Sequence, residues 1–264
     1  MIGWLIYSAI DVEKNKYYIQ MYKDKFKEHF LEIKLVIVEE LENMEQYVKC
    51  NKVDFAINRS RNHIMGELLE QKGVRVFNSS SVTRIANNKG ITYEFLKDVV
   101  PFLAVKYGNE IIESKIENKG FEYPYVIKSC SGHGGSQVFL VNNSKEDEQA
   151  VKAMNGQEYV VQQCCSDLGR DVRVYIIGNK IIKAVLRTST ESFKSNYSLG
   201  GKVQEYTLNN EEKAMVERIV DKLPLDYAGI DFTFNNGKAV FNEIEDAVGA
   251  RMLYQVSDID IVEM

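Results

Sequence analysis

"GIDFTFNNGKAVFNEIE", residues Gly229 to Glu245, holds two alternating apolar runs around an Asn-Asn-Gly turn and carries three carboxylates. Side chains two apart on a strand share a face, so Glu243 and Glu245 point the same way. A three-residue loop, Asn235-Asn236-Gly237 with Gly237 left-handed, pairs Phe234 with Lys238 and sets Asp231 opposite Phe241. All three carboxylates then leave one face of the hairpin. Clustered carboxylates repel unless screened, and hard divalent cations with oxygen ligands are the natural screen. Magnesium holding a nucleotide's phosphates is the leading reading. The competing one is a solvated strand face, weakened because Ile230, Phe232, Val240 and Ile244 claim the other face for the core.

Upstream, "YVIKSCSGHGGSQVFLV" from Tyr125 to Val141 sets Lys128 at the end of an apolar run, before a glycine-rich stretch and a second apolar run. A phosphate loop of the GxxxxGK[ST] kind runs from strand into helix; here the lysine precedes the glycines and a strand follows, which excludes it. What remains is a hairpin flap. Gly132, Gly134 and Gly135 remove side chains so that backbone amides can approach phosphate oxygens, and Lys128 supplies a point charge. The alternative is a surface hairpin with a snorkelling lysine. Between flap and acidic hairpin, Asp171 and Arg173 share a strand face, and Arg187 follows on the next strand. Arginines lining a cleft suit phosphate or carboxylate, although singly each is more often a surface ion-pair partner.

A chain of 264 residues can bury about 70–75% of its unfolded surface, enough for one large or two modest domains. With 45% hydrophobic and 27% charged residues it matches globular composition. A net charge of -5 gives no field that would gather a polyanion, which argues against nucleic acid as a partner. The longest apolar runs fall far short of the roughly 20 residues that span a bilayer. The opening "MIGWLIYSAI" lacks a basic start and reads as a first strand, not a signal peptide. Cys50, Cys130, Cys164 and Cys165 lack CxxC spacing, and the adjacent pair cannot form an ordinary unstrained disulfide. A reducing cytoplasm fits them best. His29, His63 and His133 are scattered and make no zinc set.

Up to about Ser80, short apolar runs alternate with helical patterns, which predicts βαβ units on a parallel sheet. "SVTRIANNKGITYEFLKDV" reads as one connecting helix capped by Ser81 and ending before Pro101. Hairpins follow: "YPYVIK" with "SQVFLV", "EYVVQQC" with "RDVRVYIIG", and "KIIKAVLRT" after the Gly178-Asn179 turn. The fold class is α/β followed by α+β. At the tail, "SDIDIVEM" offers Asp258 as a helix cap with six residues left, a helix that would be cut short.

Seven stretches in order, "NNK" at 87–89, "PYVIKSCSGHGGSQV" at 124–138, "VVQQCC" at 160–165, "GRDVRVYIIGNKIIKAVLR" at 169–187, "FKSNYSLGG" at 193–201, "AGIDF" at 228–232 and "FNEIE" at 241–245, resemble the ATP-grasp superfamily, specifically its RimK-like ligases. The resemblance implies an ATP-grasp fold behind an N-terminal Rossmann-like unit. Residues 1–84 would form that unit and 85–264 the grasp, with a small lid about 100–165 and a large part about 166–264. By position, Lys89 and Lys128 match the two phosphate-binding lysines, and Ser131, Gly132, Gly134 and Gly135 the flexible cover over the triphosphate. Gln163 and Cys164 match the hinge whose backbone meets adenine, and Asp171 a residue near the ribose. Lys194, Ser195 and Asn196 match the segment that closes on the phosphates, Arg187 a basic residue near the transferred phosphoryl group, and Asp231, Glu243 and Glu245 the metal ligands. Many relatives carry asparagine where Glu245 stands, followed by a Ser-Pro-Gly turn that is absent from "DAVGARM".

The implied reaction uses ATP and magnesium. A carboxylate attacks the γ-phosphoryl group to give an acyl phosphate, and an amine displaces phosphate to leave an amide or peptide bond. Catalysis then comes from positioned charge, with Arg173 available to steady the acyl phosphate or the oxyanion. Acid and amine partners would be small molecules, amino acids or peptides. For their recognition, Arg59 and Arg61 in "NRSR" lie at the carboxyl end of a parallel strand, where open α/β sheets place ligands, and Arg251 is a further candidate. A kinase that stops at phosphoryl transfer to a carboxylate or hydroxyl, and a nucleotide-binding module without turnover, are the rival readings. The oligomeric state, a homo-oligomer included, is left open.

Overall fold

The computed structural model describes residues 1–108, 120–135, 137–190, 192–194 and 201–264. Its first sheet is parallel, in the order β2-β1-β3-β4, from β1 (Ile2–Tyr7), β2 (Glu32–Ile37), β3 (Phe55–Asn58) and β4 (Arg75–Phe77). Helices cover it, which is why β1 is buried from Gly3 to Tyr7, as a central parallel strand must be. The helices Lys16–Glu28 and His63–Gln71 turn Ile19, Tyr22, Met65 and Leu69 inward.

A second sheet, antiparallel, joins β5 (Val105–Tyr107), β6 (Tyr125–Ser129), β7 (Val138–Val141) and β8 (Tyr159–Gln163) in the order β5-β8-β6-β7. The third sheet joins β9 (Arg170–Ile177), β10 (Lys180–Thr188), β11 (Lys202–Tyr206), β12 (Tyr227–Asn235) and β13 (Lys238–Glu245) in the order β11-β10-β9-β12-β13. One face of it packs Val172, Val174, Leu186, Ile230, Phe232 and Phe241 on Met215, Val216 and Ile219 of the helix Asn210–Lys222. A capping box between Asn209 and Glu212 starts that helix. Each such buried side chain stabilises by about 1.5–3 kcal/mol, so the apolar face dictates which way the charged residues of the same strands must turn.

Four local expectations are corrected. The stretch "EYVVQQC" does not pair with "RDVRVYIIG": β8 sits in the second sheet beside β5 and β6, whereas β9 joins β10 and β12. The connector is two helices, Ser80–Ala86 capped by Ser79 and Lys89–Leu96 capped by Asn88, because the Asn88 side chain accepts from the Ile91 N–H and opens a fresh first turn. The last helix is Arg251–Val256, and beyond it Asp260 accepts backbone N–H bonds from Val262 and Glu263 without starting a helix. The acidic hairpin turns on two residues, Asn236 and Gly237, both left-handed at φ 52 and 73. Asn235 pairs with Lys238 and Phe232 with Phe241, after which a bulge at Asn242 brings Asp231 opposite Glu243. The extra residue sits in the strand, not in the turn, and the single acidic face survives.

One carboxylate helps to tie the first and third sheets together. Asp246 accepts from the Asn78 side chain at 2.7 Å and from that of Asn87 at 3.0 Å, and Asn78 in turn accepts from the backbone N–H groups of Asp226 and Tyr227. Among the described residues no helix is long and apolar enough to cross a membrane.

Candidate functional site

The second and third sheets flank a cleft lined by residues of both. The flap between β6 and β7 forms one wall and the acidic hairpin the other. The Lys128 ammonium spans the gap, donating to Asn242 Oδ1 at 2.8 Å. Lys89, at the start of its helix, donates to the Gly132 carbonyl at 2.7 Å and lies 3.5 Å from Glu243 Oε2. From the other side Lys194 donates to the Gly135 carbonyl at 2.5 Å. Two lysines thus hold the glycine loop and a third crosses the cleft, while Leu103, Val126, Val138 and Leu168 line an apolar part of it.

Burial pushes the Lys128 pKa down to about 8; Lys89 adds to the effect and Glu243 opposes it. An anionic phosphate binds the protonated form, and that form prevails below this value. Nucleotide affinity is therefore expected to fall as pH rises through about 8, more than two units below an ordinary lysine at about 10.4. Calorimetry across that range checks it, and an affinity that stays flat there would refute the burial argument. His133, on the flap, is held near a pKa of about 4 by burial and by the charges of Arg61 and Lys89, so it stays neutral at neutral pH.

A charge ladder crosses the third sheet on its cleft side. Neighbouring strands set Asp231 beside Arg173, and Asp171 beside Arg187. Arg173 Nε and Nη2 donate to the two Asp231 oxygens at 2.7 Å each, and Arg187 Nη2 reaches Asp231 Oδ2 at 2.6 Å. Arg187 also bonds both oxygens of Asp171. Asp231 is wholly buried. Burial alone would raise its pKa, yet the two guanidiniums hold it well below the carboxylate range.

Of the three expected metal ligands, Asp231 is engaged by arginine in this structure. Glu243 and Glu245 line the cleft, but lateral pairing with β9 and β10 gives the Asp231 oxygens to arginine. Among the described residues no three Asp, Glu, His or Cys side chains converge as a metal-holding group. Glu245 lies 3.6 Å from Arg173 and 3.7 Å from Arg61, and its carboxyl is pushed up by burial, with the negative charge of Glu243 adding to the effect. Two oxygen-donor side chains lining one cleft fit a hard divalent cation.

Of the remaining expected residues, Gly132, Gly134, Gly135, Gln163, Asp171, Arg187 and Lys194 line the cleft. Ser131 and Cys164 do not; Cys165 takes the wall position expected of Cys164. The Gln163 backbone N–H is already given to the Ala104 carbonyl at 2.9 Å, which removes that donor from any adenine contact. Ser195 and Asn196 lie outside the described residues. The three arginines expected at the substrate part company. Arg59 is buried, donates to Tyr7 Oη and the Val248 carbonyl, and packs on the rings of Tyr7, Tyr18 and Tyr227. It is an internal tie between the first and third sheets. Arg251 is exposed at the start of the last helix, outside the cleft lining. Arg61, left-handed at φ 61, donates to Asp11 at 2.5 Å and alone of the three approaches Glu245.

Asn242 is the functional residue the sequence reading missed. A two-residue Asn-Gly turn without a bulge would put Asp231 out of phase with Glu243, so an acidic face shared by both strands already required an extra residue between them.

Residues 80–264 match the RimK-like ATP-grasp domain family. The chain belongs to that family. It is 33% identical over 258 residues, 96% of this chain and 87% of the relative, to the uncharacterized protein MG011 of Mycoplasma genitalium. It is 27% identical over 233 residues, 86% of this chain and 68% of the relative, to a probable alpha-L-glutamate ligase of Vibrio vulnificus. Among solved structures, a RimK domain ATP-grasp protein of Sphaerobacter thermophilus superposes with a TM-score of 0.74 at 19% identity, covering 97% of this chain and 94% of that one. The likeness to the last is one of fold, and the mixed α/β ATP-grasp architecture is shared.

Proposed function

We propose that this chain is an ATP- and magnesium-dependent carboxylate-amine ligase. The observation that carries the reading is the bond from Lys128, at the foot of the flap, to Asn242, which sets the glycine loop against Glu243 across the cleft. Lys89, Lys128 and Lys194 would neutralise the phosphates, with the Gly132, Gly134 and Gly135 backbone as cover. The adenine would lie against the apolar wall formed by Leu103, Val126 and Leu168, and Asp171 would stand near the ribose. Glu243 and Glu245 would hold magnesium, which supplies charge stabilisation at the transferring phosphoryl oxygens. Arg187 and Arg173, preset by Asp171 and Asp231, offer positive charge at the same end of the cleft. The segment with Ser195 and Asn196 is assigned to closure over the phosphates.

On the substrate side Arg61 is the residue of choice for a carboxylate, because it approaches Glu245 from the first sheet. Residues 1–84 would then be the unit preceding the grasp and 85–264 the grasp itself, its lid about 100–165 and its large part about 166–264. An amino-acid or peptide substrate follows the relatives named as glutamate ligases and a solved ATP-grasp ligase complexed with its precursor peptide. Cytoplasmic placement suits four cysteines that are all free thiols.

The test is ADP release against pools of amino acids and peptides, followed by mass spectrometry of the product. Release that requires an amine and yields an amide supports the ligase; release with an acid or alcohol alone turns the reading to a kinase. Lys128→Ala should weaken ATP binding by about 10- to 100-fold, the worth of one charge-assisted hydrogen bond. Unchanged affinity by calorimetry would remove Lys128 from the phosphate site.

A further inference from the structure

Cys164 and Cys165 follow β8, where the second sheet meets the third sheet, and the proposed reaction uses neither thiol. We propose that Cys165 is a thiol-modification site inside the nucleotide cleft, where a mixed disulfide with a low-molecular-weight thiol shuts out the nucleotide. The inference rests on the nucleotide reading of that cleft.

Position comes first. Cys165 lines the cleft together with Leu168 and Thr233, and it is half-buried, so a small reagent that enters the cleft can meet it. The segment around it is tied at both ends. Gln163 N–H is bonded to Ala104, while Ser166 N–H donates to Asn235 Oδ1 at 3.1 Å and Ser166 Oγ accepts from the Asn236 N–H at 2.6 Å. A group attached to the sulfur therefore stays in the cleft, because the backbone that carries it is held to both sheets.

Reactivity comes second. Thiolate is the attacking form, and reactive cysteines sit in partly exposed, electropositive surroundings. The Thr233 hydroxyl donates to Cys165 Sγ at 3.4 Å, and the buried Lys128 ammonium serves the same cleft. The Cys165 thiol is held below the ordinary thiol range, first by its hydrogen bond with Cys164, with Thr233 and Lys128 acting the same way against the opposing effect of burial. The other three cysteines do not share this setting: Cys50 is exposed on the first unit, Cys130 is buried, and Cys164 lies outside the cleft lining.

The step balances without a further oxidant. The Cys165 thiolate attacks one sulfur of a small disulfide, a new S–S bond forms as the old one breaks, and the second half leaves as thiolate. Excess thiol reverses it by the same route. The attached group then occupies volume that the nucleotide needs.

The test uses the whole chain and dithiobis(nitrobenzoate), a small disulfide whose departing thiolate is coloured, with modified peptides mapped by mass spectrometry. Cys165 should be modified, and ADP at about 100 times its dissociation constant should slow that modification by up to about 100-fold while the rate at Cys50 is unchanged. Treated wild-type protein should lose ADP binding by calorimetry and regain it on reduction. Cys165→Ser should show the same ADP affinity before and after treatment. Modification that maps to Cys164 alone, a Cys165 that resists while Cys50 reacts, or a modified Cys165 that binds ADP as before would each overturn this inference and leave the nucleotide reading standing. Untreated wild-type protein that binds no ADP would overturn the nucleotide reading as well.

Discussion

Glu243→Gln is expected to lower turnover by at least about 100-fold, since loss of groups that merely orient a metal ligand already costs about 10- to 100-fold. The substitution keeps the shape and removes the charge. Glu243 is partly open to the cleft, and its closest cation, Lys89, stands 3.5 Å away, a pairing too loose to carry much of the fold. Thermal unfolding should therefore be close to that of the wild type. Steady-state ADP release and a melting curve on the same preparation check both halves. Activity at the wild-type level would remove Glu243 from the metal; a collapsed melting temperature would make it a structural residue.

For Asp231 the expectation is reversed in kind. Asp231→Ala leaves the Arg173 and Arg187 guanidiniums in a buried site without the carboxylate that satisfies them, and breaking a buried ion pair from one side costs about 3–5 kcal/mol. Loss of activity alone would not separate a metal ligand from an ion-pair hub, whereas stability does. Denaturant unfolding should show a lower midpoint with an unchanged slope. Wild-type stability in Asp231→Ala would release the two arginines from their structural task and return Asp231 to the metal. Together the two variants divide three carboxylates on one sheet face into one that serves the fold and two that serve the reaction.

The chemistry of the cleft was more legible in the sequence than its geometry. Lys128, the three flap glycines, Glu243 and Glu245 were readable from residue type and strand period, because a charged side chain on a half-buried strand has only one face to occupy, whereas Lys89 came only with the family resemblance. The alternation of strands and helices up to Ser80 was readable for the same reason. Choice of partner was not. Nothing local in "EYVVQQC" says that it pairs with a strand some 35 residues earlier and not with the one that follows. Arg59 and Arg61 read alike as the carboxyl end of a strand, but β3 ends at Asn58 and Arg61 adopts a left-handed conformation that residue type did not announce. The Asp231 ion pairs join residues 58 and 44 positions apart, a register that only the assembled sheet decides.

The carboxylate of Asp246 sets an order of events for the growing chain. Asn78 and Asn87 are held by a residue 168 and 159 positions further on. During synthesis the first sheet can form early, and the peptide that presents Lys89 can settle against Glu70 and Cys130, but its tie to Asp246 closes only once the acidic hairpin has left the ribosome, and such distant closures are slow. The last support of the cleft is thus set at the end of synthesis.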